Sequence, residues 1–103
     1  MERIAFTMKL KPGYIAEYKR RHAELWPEMK QLLQENGISD YSIFLDEESL
    51  LLFAVHRQEE TGISNLKEKE VLKRWWKYMA EIMDTHPDYS PVTHPLTLVF
   101  HLD

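Results

Sequence analysis

The sequence predicts an α+β fold of the ferredoxin-like, split β-α-β kind: a four-stranded antiparallel sheet with helices on one face. Three observations lead to it. Apolar and polar residues alternate with period 2 near both ends and in the middle of the chain, which marks strands. Helical periodicity fills the stretches between them. The resulting order is β-α(α)-β-β-α-β. At 103 residues, the chain has room for one such domain, residues 1–103, and not for two.

Ile4, Phe6, Met8 and Leu10 alternate with Arg3, Ala5, Thr7 and Lys9, giving a first strand with one buried face. Lys11-Pro12-Gly13 breaks it, and a helix from about Tyr14 to Leu25 follows. Its stripe carries Tyr14, Tyr18 and His22, one turn apart, and its back is charged. Pro27 suits a first helical turn but not a helix interior, so the chain should break near Trp26 and resume as a helix over Pro27–Glu35. Met29, Leu32 and Leu33 form the apolar face of that helix, and Asn36-Gly37 supplies its stop.

Tyr41, Ile43 and Leu45, a polar turn at 46–49, and Leu50 to His56 then read as a β-hairpin. The run Leu50–Val55 is apolar on both faces, the pattern of a strand covered on both sides. Helices cover one face only in so short a chain. A second copy of the same sheet is the economical cover for the other, so the sequence predicts a homodimer, a dimeric α+β barrel.

Residues 57–70 are polar and read as a loop with a short helix. From Val71 to Met83 two apolar stripes, Val71/Trp75/Met79/Ile82 and Leu72/Trp76/Met79/Met83, predict a strongly amphipathic helix. Three prolines make 85–95 an irregular excursion of the kind that often carries function. Leu96, Leu98, Phe100 and Leu102 alternate with polar or smaller residues and predict a closing strand.

Composition removes several function classes. Hydrophobic residues at 44% and charged residues at 29% allow a packed core. The net charge is −4 with no basic run, which argues against nucleic-acid binding. The chain has no cysteine, hence no disulfide, thiolate nucleophile or Cys-based zinc site. MERIAFTMKLKPG lacks a signal-peptide apolar region, and no apolar run approaches the roughly 18 residues of a membrane span. A soluble, cytoplasmic protein is expected. The five histidines show no metal-ligand spacing, and no phosphate-binding or nucleophile-elbow motif is present.

His22 is the leading candidate for chemistry, because an imidazole exchanges protons near neutral pH. A helical histidine beside a tyrosine is also a common packed residue. Tyr18 and Tyr41 read either as amphipathic core residues or as walls of a polar site. Trp75 and Trp76 point about 100° apart on a helix, so one can plug the core while the other offers an indole platform to a sugar ring. Tyr14 is assigned to packing.

The ordered motifs E-Y-x-x-R-H (17–22), L-W-P-E (25–28), Y-x-I-x-L-D (41–46), R-W-W-K-Y-M (74–79) and P-D-x-S-P (87–91) span essentially the whole chain. In these the chain resembles the L-rhamnose mutarotase family, small dimeric α+β barrels that interconvert sugar anomers. The resemblance implies that His22 is the proton donor and that Tyr18, Tyr41, Trp75 and Trp76 contact the sugar, with no cofactor or metal. It also implies acid–base ring opening and reclosure, in which Tyr18, Tyr41 or a water handles the anomeric hydroxyl. Two departures bear on substrate range: TGISNLKEKEV (61–71) lacks a tryptophan common at this point in the family, and Tyr89 stands where a smaller polar residue is usual. The rival readings are a cofactor-independent monooxygenase on the same barrel and a non-catalytic ligand-binding module.

Overall fold

The computed structural model of the protein describes residues 2–59 and 68–103. Strand β1 (Glu2–Lys9) leads into α1 (Ile15–Ala23) and α2 (Pro27–Glu35), followed by the hairpin strands β2 (Ile38–Asp46) and β3 (Leu51–Gln58). Helix α3 (Glu70–Met79) and the short β4 (His94–Pro95) complete the chain. The antiparallel sheet has the order β2-β3-β1-β4, which is the split β-α-β arrangement expected from the sequence. No described helix is long and apolar enough to cross a membrane.

Local sequence explains the breaks. Pro27 opens α2 at a position where its missing N–H costs nothing, and Trp26, extended at φ −56°, ψ 131°, separates the two helices. Gly37 takes φ +75° after α2 and accepts a backbone hydrogen bond from Glu59 at 3.0 Å, joining the start of β2 to the end of β3. A β-carbon at Gly37 would lie 2.9 Å from that of Glu59, so both backbone angle and space call for glycine.

One face of the sheet carries the core. Met8, Leu10, Leu52 and Ala54 are buried against Tyr18, Met29, Leu32, Leu72, Trp75 and Met79 from the helices. On β3 the alternation is clear: Leu52, Ala54 and His56 are buried, whereas Leu51, Phe53 and Val55 point to the opposite face and stay half-buried. Phe44 on β2 is 63% exposed on the protein surface.

Three expectations need correction. The last helix stops at Met79 rather than continuing to Met83. Ile82 and Met83 keep the helical apolar spacing and are buried, but Met83 forms an antiparallel bridge with Leu10 and the Ile82 carbonyl accepts from Lys11 N. Pairing with the end of β1 outcompetes another helical turn. The closing strand is not at Leu96–Leu102: β4 is His94–Pro95, and only the Leu96 N–H, bonded to Ala5 O at 2.9 Å, extends it. Leu98, Val99, Phe100 and Leu102 are 63–91% exposed. Alternation fits a backbone for a ladder, but a strand also needs a partner edge. Tyr14, assigned to packing, is 40% exposed, because it caps α1 from outside the helix and leaves the stripe. The helix expected within 57–70 falls largely on residues 60–67, outside the described residues.

Arg21 fastens α1 to α3. Its side chain is only 8% exposed. Nε donates to Glu17 at 2.7 Å, Nη2 donates to Glu81 at 2.9 Å, and Nη1 donates to the Tyr78 carbonyl at 2.6 Å. That carbonyl belongs to the last turn of α3, where no helical N–H is available and a cation is favoured. The guanidinium also lies 3.9 Å from the centroid of the Tyr78 ring. Hydrogen bonds from Arg20 and Arg21 hold the Glu17 carboxyl at about 2.

Replacing Arg21 with Met keeps much of the apolar stem but removes every one of these bonds. Glu81 is well exposed, so its ion pair is screened and contributes little. The orphaned Tyr78 carbonyl and the lost ring contact dominate, and Arg21→Met should lose about 1–3 kcal/mol in denaturant unfolding. Glu81→Gln should stay within about 0.5 kcal/mol of wild type. Equal stability for Arg21→Met and wild type would refute this role.

Candidate functional site

The candidate residues converge on one cleft between the helices and the sheet, lined by Tyr18, His22, Tyr41, Trp75 and Trp76 with the loop after α3 at its lip. Tyr18 and His22 are stacked, with centroids 4.4 Å apart and planes 26° from parallel, because the i, i+4 spacing on α1 sets one ring above the other. Trp75 meets the His22 imidazole edge-on at 5.6 Å and 86°. Behind it, Trp26 packs edge-on against Trp75 at 5.1 Å and face-on against Tyr78 at 5.6 Å. The His22 ring is therefore held on two sides by aromatic surface.

The tandem tryptophans divide as their angular separation requires. Trp75 is 7% exposed and belongs to the core cluster, and Trp76 is half-buried at the cleft margin. Tyr41 reaches the cleft from the sheet. The β2–β3 register slips by one between Ser39 and Ser42, and Asp40 takes φ +51° there. Beside this bulge the Tyr41 ring stacks on His56, with centroids 5.0 Å apart and planes at 23°.

Burial sets the protonation states. The His22 Nδ1 lies 3.2 Å from the Tyr18 carbonyl, so Nδ1–H is the donor in the neutral ring and Nε2 is the nitrogen left to meet a ligand. Desolvation lowers His22 below its ordinary 6.5, against the weaker pull of that backbone bond. Burial, helped by the charge of a nearby Tyr41, raises the Tyr18 phenol far above the ordinary range. Tyr41 keeps 39% of its surface exposed, yet desolvation pushes its phenol up to about 12. Near pH 7 the Tyr18, Tyr41 and His22 side chains therefore favour their uncharged forms, two hydroxyl donors and a neutral imidazole.

The lip is built by the 85–91 loop, closed by the Thr85–Pro91 bridge. Asp88 accepts from the Ser90 N–H and hydroxyl, which lowers its carboxyl, and Tyr89 takes φ +71° with Lys77 5.9 Å from its ring centroid. Among the described residues no three His, Asp or Glu side chains converge as metal ligands. Trp26, Tyr78, Arg21 and His56 have no role that the sequence assigns. His56 alone carried a readable signal: it is a polar residue in phase with Leu52 and Ala54 on the core face of β3.

Comparison with known proteins agrees over the full length. The family model for L-rhamnose mutarotase matches residues 3–102. L-rhamnose mutarotase of Bacteroides thetaiotaomicron is 55% identical over 104 residues, covering 100% of both chains. That of Formosa agariphila is 52% identical with the same coverage. A crystal structure of L-rhamnose mutarotase from Formosa agariphila superposes with a TM-score of 0.94 at 50% identity, covering 100% of each chain. A putative antibiotic biosynthesis monooxygenase from Bordetella bronchiseptica has a TM-score of 0.64 at 14% identity over 95% of this chain and 96% of its own, a likeness of fold alone. With essentially the whole chain matched and about half of its residues identical to those of such relatives, the protein belongs to the L-rhamnose mutarotase family.

Proposed function

We propose that the chain, acting as one domain over residues 1–103, is an isomerase that interconverts the α and β anomers of L-rhamnose. The observation that carries this reading is a desolvated imidazole, His22, held between Tyr18 and Trp75 on the aromatic wall of the cleft. A neutral sugar suits such a wall: hydroxyl donors and aromatic faces bind it, and the charged residues that also line the cleft, such as Lys19, Lys73 and Asp88, are exposed to solvent.

In the reaction, His22 gives a proton from Nε2 to the ring oxygen while the anomeric hydroxyl loses its own to a bound water, directly or through the Tyr18 or Tyr41 hydroxyl, which takes that proton as it passes its own to the water. The C1–O5 bond breaks and an aldehyde forms. Rotation about C1–C2 presents the other carbonyl face, and reclosure returns both protons. Trp75 and Trp76 are the proposed sugar-contacting indoles, Trp76 by its more open face. Atoms balance without a cofactor. A single positioned acid–base group supplies about 10²–10⁴-fold, enough to matter for a reaction that already runs in water.

NMR measurement of α/β exchange for L-rhamnose should show acceleration by wild type that drops about 10²–10⁴-fold in His22→Ala. No acceleration of any aldose by wild type would refute the assignment; a fully active His22→Ala would refute only the acid. The pH dependence gives the sign. Burial holds His22 below 6.5, so its donor form fills only as pH falls through that lowered value. The His22-dependent rate should therefore climb below about pH 6.5 and then level. A rate that falls there would make His22 a base.

The homodimer is part of the same proposal, as is a cytoplasmic setting. Phe44, Leu98, Val99, Phe100 and Leu102 are all exposed, and the outward side of β3 carries Phe53 and Val55. A second copy of the sheet would cover this apolar surface and could give the 96–102 arm a strand partner. Light scattering at micromolar concentration should give twice the chain mass, and Phe44→Lys combined with removal of 97–103 should give a monomer. A wild-type monomer would refute it.

A further inference from the structure

Two tyrosine–histidine stacks face the cleft, and the reaction as drawn uses only one imidazole. On α1, Tyr18 lies over His22 at 4.4 Å; on the sheet, Tyr41 lies over His56 at 5.0 Å, each pair within 26° of parallel. The hydrogen bonding repeats as well. His22 Nδ1 meets the Tyr18 carbonyl at 3.2 Å, and His56 Nδ1 meets the Arg57 carbonyl at 3.4 Å. Both imidazoles line the same cleft.

His56 is a costly residue for packing alone. It is 6% exposed, on the core face of β3, with Phe6 edge-on at 6.2 Å. An apolar side chain would fill that space without burying polar nitrogens. Its Nδ1 contact is long and offsets little. Its Nε2 makes no hydrogen bond among the described residues, yet no unpaired side-chain nitrogen or oxygen there is sealed from solvent. With the ring otherwise buried, the opening available to Nε2 is the cleft it lines.

We propose that His56 is a sugar-binding residue of this cleft: its ring holds Tyr41 by stacking, and its Nε2 accepts a hydrogen bond from a hydroxyl of the bound sugar. The proposal rests on the cleft being the sugar site. It gives the sheet side a hydrogen-bonding imidazole opposite His22, so that the sugar is gripped from both walls while proton donation stays with His22.

Kinetics of anomer exchange on the full chain separate the parts. His56→Phe keeps a flat ring against Tyr41 and loses the nitrogen. The net worth of one neutral hydrogen bond corresponds to roughly 2–10-fold, so KM for L-rhamnose should rise by about that factor with kcat within about two-fold. His56→Gln, which returns a hydrogen-bonding group at similar reach, should recover most of the KM. An unchanged KM in a folded His56→Phe would overturn the proposal while leaving the mutarotase reading intact; a wild type inactive on every aldose would overturn both. Should His56→Phe fail to fold, the imidazole 15N resonances of the wild type decide. On titration with L-rhamnose the His56 Nε2 resonance should shift, and a resonance that stays fixed at saturation overturns the proposal.

Discussion

The seating of α1 on α3 is the constraint on which the site depends, and the Arg21 guanidinium is its fixed point. Its neighbour in the chain is His22, so whatever holds Arg21 also fixes the rotation of α1 about its axis. The Tyr78 carbonyl holds it from the end of α3, one turn after Trp75. Trp75, Tyr78 and Trp26 then form an aromatic brace against which the imidazole rests. A buried cation with donors aimed at two carboxylates and a carbonyl permits few orientations, whereas leucine packing alone would tolerate small rotations. Precision at His22 is thus inherited from a residue that faces away from the cleft.

Desolvation sets the chemistry of the same wall. The same burial that disfavours imidazolium also disfavours phenolate, so His22 is shifted down and Tyr18 and Tyr41 are shifted up. The wall formed by these three residues is left with neutral donors and acceptors. That combination is suited to a substrate of hydroxyls and ether oxygens. In the proposed reaction, an acid whose pKa is lowered is a strong donor once protonated, and the low population of that form at neutral pH is the compensating cost.

The sheet has two unlike faces. The helix-covered face ends in a finished core, with Leu10, Leu52 and Ile82 sealed from solvent. The other face and the 96–102 arm expose large apolar side chains in an acidic chain of net charge −4. Hydrophobic surface left in this state favours association. The arm also carries backbone groups that would gain from an added strand edge.

The sequence by itself determined the order of elements, because each depends on local physics: alternation for β1 and the hairpin, Pro27 for the break between helices, Asn36-Gly37 for the stop. The Tyr18–His22 pair was equally legible, since i, i+4 spacing needs nothing beyond one helix. Only the tertiary structure decided the rest. Met83 fits the helical period yet pairs with Leu10, because a β edge arriving from 73 residues earlier offers its backbone a better partner. Leu96–Leu102 reads as a strand but lacks a ladder, since a pattern of side chains cannot supply the neighbour a strand requires. Which tryptophan sits in the core, why Arg21 is buried, and that His56 joins Tyr41 across a bulge all depend on contacts between segments far apart in the chain. Side-chain periodicity records which face a residue takes; it does not record what that face will meet.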